Sequence, residues 1–343
     1  MHATTVSLAL RNSPTLPPTT RERIQRLAEE MGYRPDPMLT ALQAYRKASR
    51  ETPVRSVIAW LNAHNPPASL YHGEHVRLAF QGATRRCETL GYRLEEFSLA
   101  ETSSKRLHQI LQARGIQGIL VPPQARNRAH LSLPWQHYSA VSFGYTLTRP
   151  RLHMVTNAQY DAVRVAMRRL WSHGYRRIGF ITTPATDVRT DQNFTAAYLA
   201  AQQRFAATPQ VPVLYFTDDD YDQNFATFQA WYAQQRPEAI VSFLPEAVEF
   251  MGKLGIGFEE CGYAMIHMGA EGRKRGMAGI DPNDTMVGSS AVDLLVSMLH
   301  RNERGVPEIA SKVLIAGRWI EGLSVPRWAD GKTAAEHGAV AAA

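Results

Sequence analysis

The sequence is poor in cysteine and has no long hydrophobic run. Its 343 residues include only Cys87 and Cys261, which lie far apart and have no metal-ligating neighbours. This usage favours a reduced, cytoplasmic setting over a disulfide framework. No apolar stretch approaches the ~18 residues that read as a transmembrane helix, and no apolar segment follows a basic one at the start. We therefore expect no membrane span, no secretory signal and no membrane partner.

The motifs of common catalytic sites are also missing. The chain contains no GxSxG, no HExxH, no P-loop and no GxGxxG after a strand. Its histidines are scattered; His72 and His75 could suggest a metal, but two ligands on one loop more often form a polar rim. We therefore expect neither an enzyme nor a bound cofactor or metal.

Positive charge is concentrated near the start of the chain. The formal net charge is +7, which by itself is only a weak hint of a polyanionic partner. Residues 1–55, however, carry nine Arg and Lys side chains against five Asp and Glu. The excess of positive charge in this short segment favours a polyanion as its partner.

The leading segment has the pattern of short helices separated by prolines. Residues 2–11 can form a helix with one apolar stripe, and the proline-containing stretch 12–18 interrupts it. Residues 19–33 form a clear amphipathic pattern that ends at Gly32. Residues 38–47 are a further short helical candidate.

From residue 56 onward, strand and helix patterns alternate. The predicted strands are 56–62, 92–99, 116–123, 138–145, 176–183, 211–216, 238–244, 263–269 and 311–319. The predicted helices are 74–90, 103–113, 158–174, 190–205, 222–235, 246–254 and 285–302. Such alternation predicts parallel sheets built from right-handed crossovers. The number of strands favours two α/β domains rather than one small sheet.

Several segments resemble one family of bacterial transcription regulators. "TVSLALRN" (5–12) resembles the recognition helix of the lactose-repressor (LacI/GalR) family, and "TRERIQRLAEEMGYRPDP" (20–37) resembles its third helix and hinge entry. Later segments resemble the family's inter-subdomain joint and closing stretches: "LWSHGYRRIGFI" (170–181), "AGIDPNDTMVGSSAVDLL" (278–295) and "GRWIEGLSV" (317–325). The resemblance covers roughly residues 2–325.

The resemblance implies a domain organisation. It predicts a partial helix-turn-helix DNA-binding domain at 1–37 and a hinge helix with linker at 38–55. The core would resemble periplasmic binding proteins, with two parallel-sheet α/β subdomains. The first would comprise 56–155 with about 284–311, and the second 156–283 with about 312–325. We expect residues 326–343 to be a disordered tail.

The resemblance also implies DNA contacts. Ala3, Thr4 and Leu8 match base-reading positions, while Thr5, Ser7, Arg11 and Asn12 are suited to phosphate contact. The alternative for Thr4 and Thr5 is simple helix capping. Leu42 matches the hinge leucine that wedges into the minor groove; the alternative is that Met38, Leu39 and Leu42 pack on the sensor domain.

One departure concerns the DNA-binding head. The family's first helix and the turn after it would lie before Met1, and this sequence has no counterpart. Val6, Leu10, Ile24 and Leu27 would then lack a packing partner, and short isolated helices are marginal in water. Either the start has been assigned too far downstream, or the regulator is degraded and binds DNA poorly; we favour the first interpretation.

A small effector is expected in the cleft between the two subdomains, because ligands of open sheets lie outside the carboxyl ends of the strands. The candidate contacts are His75, Asp161, Arg189, Asn193, Phe243, Asp281 and Asn283, of which Asp161 and Asn283 match family ligand positions. Each of them could equally be ordinary surface or capping. Phe194 stands where sugar-binding members of the family have an arginine that holds ligand hydroxyls, and Arg189 could take over that role. Phe243 and Leu244 stand where the family usually has an Asn-Asp pair. The pocket is therefore predicted to be less polar than a typical sugar site.

These features together predict a ligand-responsive transcriptional regulator of repressor type in the bacterial cytoplasm. It would bind a pseudo-palindromic operator as a homodimer and respond to a sugar or related metabolite. The alternative is a small-molecule sensor module that no longer binds DNA.

Overall fold

The computed structural model describes residues 2–10, 14–32, 56–205, 210–217 and 220–328. The chain divides into two compact units. Unit 1 comprises Met1–Thr156 with Asp284–Val313, and unit 2 comprises Asn157–Asn283 with Leu314–Ala343. The chain therefore passes from one unit to the other three times.

The leading segment folds into two helices, as its hydrophobic pattern predicts. α1 spans Ala3–Leu10 and α2 spans Pro18–Glu30. Pro18 occupies the first helical position, where its missing N–H is not needed. Gly32 follows the second helix with a φ of 65°, a left-handed conformation that glycine adopts without strain. The helical candidate at 38–47 lies outside the described residues.

Unit 1 is built on a six-stranded sheet. Its strands are β1 (Ser56–Asn62), β2 (Tyr92–Ser98), β3 (Gly118–Val121), β5 (Ser139–Phe143), β7 (His153–Asn157) and β13 (Lys312–Ile315), in the order β13-β7-β5-β3-β1-β2. Each neighbouring pair along the sheet from β7 through β5, β3 and β1 to β2 is parallel. A separate two-stranded ladder joins β4 (Ala129–His130) to β6 (Leu147–Arg149).

Two helices of unit 1 pack at very short range. Besides α1 and α2, the described helices of this unit are α3 (Glu74–Thr89), α4 (Ser104–Ala113) and α11 (Asp284–Arg301), with 3-10 turns at Pro67–His72 and Trp135–His137. A Cβ atom on Gly288 would lie 1.9 Å from the carbonyl oxygen of Ala79, and one on Gly82 would lie 2.0 Å from that of Thr285. Glycine is therefore required where α3 crosses α11.

Unit 2 is built on a second six-stranded sheet. Its strands are β8 (Ile178–Thr182), β9 (Leu214–Tyr215), β10 (Ala239–Ser242), β11 (Gly262–Met265), β12 (Ala278–Asp281) and β14 (Arg318–Ile320), in the order β14-β12-β11-β10-β8-β9. Only the β12–β14 pair is antiparallel among these described strands. The helices are α5 (Gln159–Ser172), α6 (Pro184–Arg189), α7 (Asn193–Phe205), α8 (Tyr221–Gln235), α9 (Pro245–Lys253) and α10 (Ala270–Lys274).

The predicted α/β architecture is confirmed, but one predicted strand is wrong and one predicted helix begins later than expected. The single strand predicted at 311–319 is divided at Ala316–Gly317, and its halves, β13 and β14, belong to different sheets. The helix predicted at 190–205 begins only at Asn193, as α7, and a separate short helix that the sequence did not predict, α6, precedes it at Pro184–Arg189. Asp191 and Gln192 between them have φ values of 52° and 58°, which an α-helix cannot accommodate. The sequence pattern also did not predict strand β7.

The end of the described chain packs against unit 2. The backbone N–H of Trp328 donates to the oxygen of His173 at 2.8 Å, and its indole lies 5.1 Å from the ring of Tyr175. The Tyr175 hydroxyl donates to the oxygen of Pro326 at 2.7 Å. Residues 326–328 are therefore ordered by these contacts, contrary to the predicted disordered tail. Residues 329–343 lie outside the described residues.

Candidate functional site

Five of the eight DNA-binding residues predicted from the sequence lie on α1. Ala3, Thr4, Thr5, Ser7 and Leu8 all belong to this helix. Arg11, Asn12 and Leu42 lie outside the described residues. Five predicted DNA-binding residues therefore share one short helix, and their binding to DNA stays a prediction.

A small apolar contact joins α1 to α2. Ala9 and Ile24 are buried, and the side-chain amide of Gln25 donates to the oxygen of Ala9 at 2.9 Å. Further along α2 the apolar stripe is open, since Leu27 is 52% exposed and Met31, just after the helix, is 76% exposed. The two helices thus bury only part of the apolar stripe that the sequence predicts for this segment.

In unit 2, Asp281 lies at the carboxyl end of β12, where the sequence places a ligand contact. Its carboxylate accepts the backbone N–H of Asn283 at 3.1 Å. Arg273 of α10 and Arg318 of β14 approach the same carboxylate at 3.5 and 3.9 Å. Asp281 therefore joins three segments of unit 2 within a net positive group. The sequence reading did not single out Arg273, because it predicted no helix at α10.

Asn283 lies where the connecting segments of the chain meet. Its φ of 57° is left-handed, a conformation that asparagine tolerates better than most residues. Its side-chain amide donates to the oxygen of Ala316 at 2.8 Å. The amide of Asn157 donates to the oxygen of Pro282 at 3.3 Å, and the N–H of Ala158 to the oxygen of Ile315 at 2.8 Å. On the unit 2 side, the three connecting segments are thus fastened to one another.

Arg189 and Asn193 flank the break between α6 and α7, beyond the carboxyl end of β8. Arg189 is the last residue of α6, and burial lowers the pKa of its guanidinium. The amide of Asn193 donates to the oxygen of Thr190 at 2.7 Å, which caps the connecting turn. Desolvation of a guanidinium favours an anionic or hydrogen-bonding partner.

Aromatic side chains lie beside these polar groups. Phe243 directly follows β10 and stacks on Phe194 of α7, with ring centroids 6.3 Å apart and planes at 26°. Phe194 is buried and Phe243 half-buried. The aromatic pair occupies positions where the resemblance implies polar residues. That the effector pocket is less polar than a typical sugar site stays a prediction.

Two other predicted contacts are surface residues. Asp161 lies in the first turn of α5, and its carboxylate pairs with Arg164 at 2.8 Å. His75 is exposed in the first turn of α3, in unit 1. The other six predicted contacts, Asp161 included, lie in unit 2, and five of them lie at or after the carboxyl ends of β8, β10 and β12.

Unit 1 has a polar cluster that the sequence reading missed. The buried side chain of Asn62, at the end of β1, donates to Glu96 Oε1 at 2.7 Å. The Tyr71 hydroxyl donates to the other oxygen of Glu96, and burial together with this carboxylate raises the pKa of Tyr71. These contacts fix the segment that follows β1. No local motif marks them, because the partners are more than twenty residues apart.

Two classes of site do not occur in the described parts of the chain. There, no group of three or more His, Cys, Asp and Glu side chains could hold a metal ion. No helix within the described ranges is long and apolar enough to cross a lipid bilayer. The charged and amide side chains around β8 and β12 are suited to binding a polar small molecule by hydrogen bonds and charge.

Comparison with known proteins gives one curated relative and many structures of similar fold. No family model matches the chain. The HTH-type transcriptional regulator PtxS of Pseudomonas plecoglossicida is 26% identical over 187 residues, which span 54% of this chain and 51% of that protein. The chain is thus matched along about half of the length of this relative.

The similar structures cover most of the chain. The transcriptional regulator CelR in complex with cellobiose is 19% identical, with a TM-score of 0.55 over 94% of this chain and 96% of that one. The lac repressor dimer bound to operator and the anti-inducer ONPF is 13% identical, with a TM-score of 0.58 over 94% and 95%. A LacI-family regulatory protein from Chloroflexus aggregans is 16% identical, with a TM-score of 0.57 over 78% and 98%. The chain therefore has the fold of these LacI-type regulators.

Proposed function

We propose that this chain is a ligand-responsive transcriptional regulator that binds operator DNA through α1. The observation that carries the proposal is the combination, in one chain, of a two-helix head with two parallel-sheet units of the LacI type. The curated relative and the similar structures named above are transcriptional regulators, which supports a regulator rather than an enzyme.

The proposed DNA contacts are those predicted from the sequence. Ala3, Thr4 and Leu8 would face base edges in the major groove, while Thr5, Ser7, Arg11 and Asn12 would contact phosphates. Leu42 would wedge into the minor groove at the centre of the site. A homodimer would present two copies of α1 to a pseudo-palindromic operator.

The proposed effector is a sugar or a related metabolite. In unit 2 its contacts would come from Arg189, Asn193, Phe243, Asp281 and Asn283, which follow the carboxyl ends of β8, β10 and β12. Asp161 and His75 remain candidates at the first turns of α5 and α3. The connecting segments are hydrogen-bonded to one another around Asn283, so a conformational change caused by ligand binding at these strands could be transmitted to them.

Effector and DNA would be linked through their effects on one conformational equilibrium. Coupling free energies of this kind are typically 1–3 kcal/mol and act equally in both directions. A repressor would lose operator affinity when its effector binds, and a co-repressor effector would increase it. Either sign fits the proposal, since both require differential binding to two states.

A second candidate function is a sensor module that does not bind DNA. The exposed Leu27 and Met31 favour it, because they leave apolar side chains of the head in solvent. A head with so little buried surface is expected to be only marginally stable. The two candidates differ in one measurable property, which is specific affinity for duplex DNA.

The experiment that separates them is a DNA-binding scan. Labelled duplexes tiled across the promoter of the protein's own gene would be titrated with the full chain by fluorescence anisotropy. The proposal predicts one duplex bound more tightly than a shuffled duplex of the same composition. Arg11→Ala is expected to weaken binding to both duplexes by a similar factor, as loss of a phosphate contact does. Equal affinity for all duplexes would favour the sensor module.

A further inference from the structure

Three buried polar atoms near the ends of β8 and β9 make no hydrogen bond. They are Thr182 Oγ1, Asp187 Oδ1 and Thr195 Oγ1; none has a partner at normal hydrogen-bond geometry within the described part of the chain, although Thr195 approaches the Tyr215 side chain. Thr182 is 1% exposed and Thr195 is 8% exposed. Folded proteins satisfy most buried polar atoms, so an unpartnered buried group retains the capacity to bind a further polar group.

All three groups lie around Tyr215. Thr182 and Tyr215 are the last residues of β8 and β9 and pair directly in the parallel ladder, so their side chains share one face of the sheet. The Tyr215 hydroxyl lies 3.5 Å from Asp187 Oδ2, which belongs to α6. Burial and Asp187 raise the pKa of Tyr215, and the side chain of Thr195, on α7, is close enough to lower it. The strands β8 and β9 and the helices α6 and α7 therefore contribute side chains to one polar cluster.

The neighbouring hydroxyl groups are satisfied. Thr190 Oγ1 donates to the oxygen of Thr186 at 2.9 Å, and the backbone N–H of Thr186 donates to Thr183 Oγ1 at 3.1 Å. The segment that follows β8 can thus satisfy its own hydroxyls by local bonds. Thr182, Asp187 and Thr195 differ from these residues, because one side-chain oxygen of each lacks such a local bond and lies near Tyr215.

We propose that Asp187, Thr195 and Tyr215, with Thr182 beside them, form a subsite for hydroxyl groups of the effector. This inference rests on the proposed function and names residues that carry it. The carboxylate accepts hydrogen bonds, whereas a threonine hydroxyl both donates and accepts. Adjacent hydroxyls of a polyhydroxylated molecule can use both kinds of group.

Local charge is consistent with a neutral occupant. Asp187 and Arg189 lie on the same short helix, and their opposite charges leave that helix with no net charge. The subsite also supplies polar contacts where the aromatic pair Phe194 and Phe243 cannot. A hydroxyl-rich ligand could therefore bind although those two positions are aromatic.

The first test compares the stability of ligand-free variants. Thr182→Val and Thr195→Val replace unpartnered hydroxyls by methyl groups, so neither should lower the urea midpoint, and each is expected to raise it. Thr190→Val is the matched control in the same segment; it removes a bonded hydroxyl of similar burial and is expected to lower the midpoint. If Thr195→Val lowers the midpoint as much as Thr190→Val does, these hydroxyls hold only an internal water and the subsite is wrong.

The second test uses cellobiose and glucose as probes of the wild type and variants. At millimolar concentration, at least one of them is expected to raise the thermal midpoint of the wild type. Asp187→Asn and Thr195→Val should abolish this shift, whereas Thr190→Val should retain it from its own lower baseline. A shift that survives in Asp187→Asn and Thr195→Val overturns the subsite and leaves the proposed function intact. A wild type that neither sugar stabilises contradicts the proposed effector class itself.

Discussion

The side-chain amide of Asn283 donates a hydrogen bond to the carbonyl oxygen of Ala316 at 2.8 Å. This bond joins the segment after β12 to the segment between β13 and β14, two of the three places where the chain passes between its units. The resemblance implies that residue 283 contacts the ligand. The structure gives its amide group a different partner, the backbone of another connecting segment.

We predict that Asn283→Ala lowers the free energy of unfolding by about 2 kcal/mol. About half comes from the lost hydrogen bond and half from placing alanine in a left-handed conformation. Asn283→Gly loses the same bond but adopts the positive φ freely, so its loss should be about 1 kcal/mol. Urea denaturation of both variants checks this order. An alanine variant at least as stable as the glycine variant would contradict the proposed role of the conformation.

The crossing of α3 and α11 gives a second prediction. Gly288→Ala should lower stability by about 3 kcal/mol or more, because its Cβ would meet the backbone oxygen of Ala79 at 1.9 Å. Gly252→Ala is the matched control in α9, where nothing lies within 4 Å of the new methyl group and φ is not positive. It should raise stability by about 0.5–1 kcal/mol. Thermal unfolding monitored by circular dichroism separates the two signs.

A third prediction concerns acid stability. Hydrogen bonds from Arg114, at 2.8 Å for the Nη2–Oε2 pair, and the charges of Arg114 and Arg93 lower the pKa of Glu95. A carboxyl with a lowered folded pKa stabilises the protein above its unfolded pKa of about 4.3, and this stabilisation is lost as the pH falls through the folded value. The pair is partly exposed, so the increment should be below about 1 kcal/mol. Glu95→Gln should therefore match wild type at low pH and be slightly less stable at pH 7; a difference that grows towards low pH would contradict this.

The packed residues at 326–328 give a fourth prediction. Trp328→Ala should lower stability by about 1–2 kcal/mol, because it removes the indole from the ring of Tyr175. Arg327→Ala, at the exposed neighbouring position, should change stability little. Urea denaturation of the two variants makes the comparison. Equal midpoints would mean that the tryptophan contact contributes nothing to the fold.

Much of the fold could be predicted from the sequence because its signals are local. β1 was predicted at its observed bounds, and α3 within one residue, since an apolar run and an amphipathic period each lie within one short window. The division of 311–319 into β13 and β14 could not be predicted in this way. Their separation depends on which sheet each half joins, and that is a property of distant partners.

The candidate site was predicted only in part for a similar reason. Phe243 could be named because it lies at the end of a predicted strand, and Asp281 because the resemblance places it at a crossing between the subdomains. Thr195 and Tyr215 could not, since their proximity depends on the pairing of β8 with β9 and on the break before α7. A threonine on a helix and a tyrosine on a two-residue edge strand carry no motif. The effector contacts predicted from the sequence stay predictions.

The most direct test of the proposed regulator is the salt dependence of its DNA affinity. Anisotropy titrations of the full chain against the tightest promoter duplex and against its shuffled counterpart would be repeated over a series of salt concentrations. We expect both affinities to fall steeply as salt rises, because phosphate contacts release counterions, and the promoter duplex to be bound more tightly throughout. Indistinguishable affinities for the two duplexes at every salt concentration would contradict operator recognition and leave a sensor module.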